Sequence, residues 1–369
     1  MELVKGICLK GWNIMKYIIF ILKRKAKSTS RTKKAVLTCI LVPFFLCAHY
    51  YNFMAYMAAY SFHNFQYPLD VDLPKVVEDV MNNQDPGVKP INPHNYPVVL
   101  ENDRKCKTED GDDLDIFIVF IIKSALENFA LRNVIRKTWA NEFAVPSVMI
   151  RRIFVVGTRR EQLDLQQKLG LESKQHEDIL QEYFHDHYYN NTIKLMAGFR
   201  WATTYCRGAS YFVFMDDDYY VSTRNLVKFL TPIPQAKQEN LLVGYIWTNA
   251  MPFRSTYSKW YISLTEYPYR YWPPYPTAGS FIVSGDLAKK IFIASHYTQY
   301  LRFDDAFVGI LLYKLNIKPY HNKNIYFYSL PYDKEKYKSV VAVHGFKDPE
   351  EINKIYIEQE RIYRSQTIL

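Results

Sequence analysis

Ser210-Tyr-Phe-Val-Phe-Met-Asp-Asp-Asp218 passes without a break from an apolar, aromatic run into three consecutive carboxylates. A short continuous apolar run of this kind reads as a strand buried on both faces, as in a parallel sheet. Two more lie upstream: Asp115-Ile-Phe-Ile-Val-Phe-Ile-Ile122 and Arg152-Ile-Phe-Val-Val-Gly157. Between them are helical patterns. Thr192, Leu195, Met196, Phe199 and Ala202 recur at i, i+3, i+4, i+7 and i+10, which marks one face of a helix. Strands alternating with helices imply an α/β domain with a mostly parallel sheet, beginning near residue 113. Ligands of such sheets bind beyond the carboxyl ends of the strands, and the carboxylates follow Met215 at that end.

Three adjacent carboxylates repel one another and gain little from packing. A hard divalent cation would offset the repulsion, because its preferred ligands are oxygens. In an extended segment Asp216 and Asp218 point to one side and Asp217 to the other. A solvated acidic turn is the plainer explanation of such a triplet, and the buried-strand context weighs against it. Asp304 and Asp305 form a second acidic pair before an apolar segment. They fit acids at a helix start, favoured by the macrodipole, and equally a general base aimed into a cleft. His344, in Val341-Ala-Val-His-Gly-Phe346, fits a structural histidine or a neutral nitrogen ligand to a metal. The aromatic stretch from Lys259-Trp-Tyr261 to Tyr271-Trp-Pro-Pro-Tyr275 fits a packed Pro-rich loop and a sugar-stacking platform about equally.

Working outward, the rest of the chain bounds the setting. The 369 residues carry a net charge of +10, which raises the question of nucleic acid. Residues 1–34 account for +9 of it, with ten Lys/Arg and one acid, which leaves +1 for residues 35–369. A nearly neutral body has no basic face with which to neutralise phosphates. From Ala35 to Leu69 there is no Asp, Glu, Lys or Arg. The apolar part, residues 35–60, exceeds the ~20 residues a bilayer crossing needs. With the basic cluster before it, the expected topology is a signal-anchor helix with a cytoplasmic N-terminus and a luminal body. A cleaved signal peptide fits less well, since the apolar run is too long and starts too late. Residues 61–112 are polar, contain six prolines and hold no persistent period, which reads as a luminal stem. Of five cysteines only Cys106 and Cys206 would face the lumen. One disulfide and two buried thiols both fit.

Several stretches, in order, resemble the β-1,3-glycosyltransferases of the galactosyltransferase-like family. They are Leu131-Arg-Asn-Val-Ile-Arg-Lys-Thr-Trp139, Phe154-Val-Val-Gly157, Glu177-Asp-Ile-Leu180 and Asp186-His-Tyr-Tyr-Asn190 through Lys194. They continue with Phe214-Met-Asp-Asp-Asp218, Lys259-Trp-Tyr261, Pro273-Pro-Tyr275 through Gly279, Ser284-Gly-Asp-Leu-Ala288 and Phe303-Asp-Asp305. The tail from Tyr337 to Glu351 is most similar to the Brainiac-type β-1,3-N-acetylglucosaminyltransferases. The resemblance spans roughly residues 113–350 and rests on the ordered set, since each motif alone is weak. Ala140, Asn191, Ala278, Ser280 and Ala306 depart from the family pattern, and none of these departures removes a carboxylate.

The resemblance implies a GT-A type fold over residues 113–369 and an inverting enzyme of the Golgi membrane. The donor would be UDP-GlcNAc, or alternatively UDP-galactose. The acceptor would be the 3-hydroxyl of a glycolipid or glycoprotein sugar, and the cofactor Mn2+ or Mg2+. Asp216 and Asp218 match the metal and diphosphate motif, with Asp217 beside them and His344 as a further metal ligand. Arg132, Arg136 and Lys194 match positions near the donor, where they would meet phosphate oxygens. Asp305 matches the catalytic base. A metal-dependent phosphohydrolase would need a phosphate loop or nucleophile motif, and neither is present. A non-catalytic, lectin-like role predicts no nucleotide-sugar turnover.

Overall fold

The computed structural model describes residue 38, residues 41–43, residue 50, residues 53–159 and residues 161–367. The cytoplasmic segment expected at 1–34 and most of the span expected at 35–60 lie outside them. Among the described residues no helix is long and apolar enough to cross a membrane. The chain forms two compact units, Met1–Asn64 with Pro252–Arg270, and Phe65–Met251 with Tyr271–Leu369.

The larger unit begins with α1 (Leu73–Met81), β1 (Val98–Leu100), β2 (Ile116–Lys123), α2 (Phe129–Lys137), β3 (Ile150–Thr158), α3 (Leu163–His176) and β4 (Ile179–His185). Then come α4 (Asn191–Tyr205), β5 (Ala209–Asp216), β6 (Tyr219–Val221), α5 (Thr223–Leu230), β7 (Leu242–Trp247), β8 (Tyr275–Ser284) and α6 (Gly285–His296). The chain ends with α7 (Asp304–Lys314), β9 (Tyr320–His321), β10 (Ile325–Tyr326), β11 (Ala342–His344) and α8 (Pro349–Thr367).

Eight strands form one sheet in the order β1-β4-β3-β2-β5-β8-β7-β9. The four central strands, β4 to β5, are parallel. They include the three apolar runs noted in the sequence. β1 and β8 enter antiparallel, so the mostly parallel sheet is mixed at its flanks. β8 carries Pro276, Gly279 and Ser280, which break the apolar pattern by which the other long strands were found. β2 is buried on both faces, and its side chains alternate between layers. Phe120 meets Trp139 at 5.5 Å on one face. On the other face a Cβ at Gly198 of α4 would come within 2.7 Å of Ile121, so the helix lies close on the sheet. There Phe199 stacks on Phe214 at 4.2 Å.

The stem reading of residues 61–112 gives way here. From Phe65 onward the segment belongs to the larger unit. Asp72 caps α1, Pro74 sits in its first turn, and Leu73, Val76 and Val77 are buried. β1 adds an antiparallel edge to β4. The helix is only nine residues long, too short to show a persistent period. Cys106 is disulfide-bonded to Cys206, which ties this segment to the end of α4.

Candidate active site

The site is set by register. In the parallel pair β2–β5, Lys123 stands opposite Asp216, so both strands deliver a charged side chain at their carboxyl ends. A second sheet, β10-β11-β6, lies just beyond. In it His344 is paired with Tyr219, the residue after the acidic triplet. The N–H groups of Gly345 and Phe346 donate to the Asp218 carbonyl. This turn brings His344 Nε2 to 3.1 Å from Asp218 Oδ2. The bond to Asp218 raises the His344 pKa against the opposing effect of burial. Asp218 Oδ1 is buried with no hydrogen-bond partner.

The three carboxylates of the triplet have different surroundings. Asp217 is buried, and its Oδ2 accepts from Ser124 Oγ at 2.6 Å and Asn128 Nδ2 at 2.8 Å. It anchors the loop after β2. Asp216 is about one-third exposed at its side chain and meets Lys123 Nζ at 3.0 Å. Burial raises its pKa to about 6; Lys123 opposes this, and Asp218 and Asp304 add to it. Lys123 Nζ also reaches Asp304 Oδ2 at 2.6 Å. Burial disfavours the ammonium, but Asp216 and Asp304 outweigh it and keep Lys123 charged.

Asp304 and Asp305 open α7. Asp305 is only partly buried, and its Oδ1 accepts from the N–H of Ala306 at 2.7 Å. Burial and then the charge of Asp304 push its pKa up to about 7. Close packing of α7 on β8 fixes this start: a Cβ at Gly309 would lie 2.5 Å from Tyr275 Cβ. Burial, and next the charge of Asp305, raise the pKa of the Tyr275 phenol, so it stays protonated within reach of that carboxylate.

The cationic residues expected at the donor are placed differently from one another. Lys194 is buried, with Nζ 2.7 Å from Asp186 Oδ1 and 2.9 Å from the Ser124 carbonyl. It braces the same loop that Asp217 anchors. Arg132 is fully buried and spends all five N–H donors on protein: Glu172, Ser124 Oγ and the carbonyls of Ala125 and Leu126. Arg136 is bidentate on Asp178 and also meets Glu172. These two guanidiniums are built into the scaffold, because buried carboxylates from α3 and the start of β4 claim them. Arg132 meets the site through the loop after β2, where it holds Ser124, which in turn holds Asp217.

Sequence reasoning passed over Lys123, Ser124 and Asn128, and quoted Asp186 within a motif without giving it a role. The one available signal was Lys123, the single charge in an otherwise apolar strand, which burial obliges to find a partner. Among the described residues no group of three or more His, Cys, Asp or Glu is drawn together as a complete metal site. The Asp218–His344 pair is present, with Asp216 nearby on the same strand end.

The Lys259-Trp-Tyr261 loop belongs to the smaller unit. There Arg254 donates to the carbonyls of Ile262, Ser263, Tyr267 and Tyr269, folding the loop on itself. Trp260 packs on Phe253 at 5.4 Å, with the Lys259 ammonium over its ring.

The sequence profile described as Galactosyltransferase matches residues 130–323. The chain is 35% identical over 333 residues to a Drosophila melanogaster protein named Beta-1,3-galactosyltransferase brn, covering 89% of this chain and 97% of that one. It is 32% identical over 269 residues to the Homo sapiens Beta-1,3-galactosyltransferase 1, covering 73% and 80%. Over 259 residues it is 32% identical to the Homo sapiens Lactosylceramide 1,3-N-acetyl-beta-D-glucosaminyltransferase, covering 68% and 67%. By this profile and these relatives, the chain belongs to the galactosyltransferase family of β-1,3-glycosyltransferases.

Proposed function

We propose that the protein is a metal-dependent, inverting β-1,3-glycosyltransferase that moves GlcNAc from UDP-GlcNAc to the 3-hydroxyl of a glycolipid or glycoprotein sugar. One observation carries the reading: Asp216, Asp218 and His344 on one side and Asp304–Asp305 on the other, joined through Lys123. Asp216, Asp218 and His344 offer two carboxylates and an imidazole, and the orphaned Asp218 Oδ1 has lone pairs that only a donor group or cation would satisfy. This set fits Mn2+ or Mg2+, which when bound neutralises charge on the leaving diphosphate. Asp305 takes the proton of the acceptor hydroxyl, whose oxygen attacks the anomeric carbon as the bond to UDP breaks. Attack from the face opposite UDP turns an α-linked donor into a β-linked product. A base with a pKa near 7 suits that proton transfer. Asp217, Lys194 and Arg132 hold the loop after β2 that borders the donor side.

UDP-galactose is the second reading for the donor, favoured by the names of two of the relatives. The test is a donor screen on the full-length protein in detergent, with UDP-GlcNAc and UDP-galactose, counting UDP release with acceptor. Asp218→Asn should lose both transfer and binding of Mn2+–UDP, whereas Asp305→Asn should lose transfer and keep that binding. No turnover with either donor supports a carbohydrate-binding role instead.

We further propose a type II topology in the Golgi membrane, with residues 35–60 as the anchor and the catalytic unit luminal. The Cys106–Cys206 disulfide supports an oxidising compartment. Protease added to sealed microsomes should reach only the first ~34 residues. Digestion of the catalytic unit in intact vesicles would sink this topology.

A further inference from the structure

Lys123 Nζ lies 3.0 Å from Asp216 Oδ1 and 2.6 Å from Asp304 Oδ2, with 4% of its side chain exposed. Asp216 ends β5, on the donor side, and Asp304 begins α7 beside Asp305. One buried positive charge is therefore shared by two carboxylates from opposite sides of the site. An ammonium has three N–H donors, enough to hold both.

A divalent cation seated on Asp216 and Asp218 would compete with this ammonium for the same carboxylate charge. Asp304 gives the ammonium somewhere to remain. It is buried, already in hydrogen-bonding reach and outside the proposed ligand set. We propose that Lys123 is an internal counter-ion that shares its charge between Asp216 and Asp304 until a cation binds, and is then left with Asp304. Donor-side cation binding is thereby coupled to the acceptor-side pair Asp304–Asp305. The inference rests on the reading of Asp216 and Asp218 as cation ligands, and Lys123 acts in it as a positioning residue.

The coupling gives effects of opposite sign. Asp304→Asn leaves the ammonium with Asp216 alone, so cation binding weakens although Asp304 touches no ligand of the cation. Lys123→Met removes the competitor, so binding tightens. In the Lys123→Met background the effect of Asp304→Asn shrinks to the direct influence of its charge on Asp216. Charges acting directly through space would instead give additive shifts.

The test is calorimetric titration of Mn2+ alone, without UDP, into the full-length protein in detergent and into Asp304→Asn, Lys123→Met and the double variant. The expected result is about tenfold weaker binding for the first, about tenfold tighter for the second, and the double variant close to Lys123→Met. Lys123→Met leaves buried Asp304 without a counter-ion and can fail to fold. The double variant buries no such charge and carries the comparison on its own: it must bind Mn2+ more tightly than the unsubstituted protein, whereas additive shifts would return it to the unsubstituted affinity. Binding that stays weak in the double variant, additive shifts, or an Asp304→Asn variant that binds Mn2+ like the unsubstituted protein would overturn the counter-ion role alone. An unsubstituted protein with no saturable Mn2+ site overturns the cation reading with it.

Discussion

Replacing Asp305 by Asn removes a carboxyl group whose ionisation the fold resists. Burial, with Asp304 adjacent, raises its pKa from 3.8 to about 7. The folded value lies above the unfolded one, so ionising Asp305 costs the folded state stability. The cost is fully present above about pH 7 and absent below about pH 4. A shift of about 3 units corresponds to about 4 kcal/mol at ~1.36 kcal/mol per unit. Solvent reaches part of this side chain, and its bond from the Ala306 N–H helps the ionised form, so about 1–2 kcal/mol is the expected gain. Asparagine keeps the size and the acceptor oxygen. Asp305→Asn should therefore melt a few degrees above the native protein at pH 8, with little difference at pH 5. The same substitution should lower transfer by about 10²–10⁴-fold, the usual worth of a positioned base. Thermal unfolding at the two pH values, beside a transfer assay with saturating donor, reads both effects. A variant destabilised equally at both pH values would mean that the carboxylate is a structural partner. A variant that keeps its activity would mean that the proton goes elsewhere.

Three further outcomes follow from the same geometry. The kcat/KM for acceptor should rise with pH through about 7 and level off above it, as Asp305 ionises; a profile flat from pH 5 to 8 would exclude Asp305 as base. Gly279→Ala puts a Cβ 2.5 Å from the buried Tyr219 ring, which itself packs 5.1 Å from His344. It should cost about 1–3 kcal/mol and weaken Mn2+–UDP binding, and a variant with native melting and native affinity would refute that support. Breaking the Cys106–Cys206 bond by a double Ser substitution opens a loop 100 residues long and should cost about 2–5 kcal/mol in denaturant unfolding.

What was legible in the sequence was whatever its local pattern specifies. Short unbroken apolar runs suit strands buried on both faces, as in a parallel sheet, and three such runs gave central strands. The acidic triplet was legible because carboxylates directly after a buried strand are costly without a purpose. Partners distant in the chain were not legible. Arg132 and Arg136 were placed near the donor by the family resemblance, and the sequence does not show the carboxylates, Glu172 and Asp178, that claim them. The segment before residue 113 read as a stem because a nine-residue helix and a three-residue edge strand are too short to carry a period. Their burial depends on a sheet edge and a helix formed much later in the chain.

The choice of base within the Asp304–Asp305 pair shows what the structure adds. Both residues occupy the first turn of α7, where the helix dipole favours a carboxylate, and local sequence cannot separate them. Lys123 separates them. Its ammonium binds Asp304, so one oxygen of Asp304 is committed to an ion pair while its carboxylate still raises the pKa of Asp305. Asp305 is left with the N–H of Ala306 as the bond on its Oδ1, partial solvent exposure, and an anionic neighbour that makes its proton harder to lose. One carboxylate is thus held as the partner of the lysine, which leaves the other as the proposed proton acceptor. Two chemically identical side chains, adjacent in sequence, acquire different surroundings because one lysine at the end of a strand forms its ion pair with the first of them.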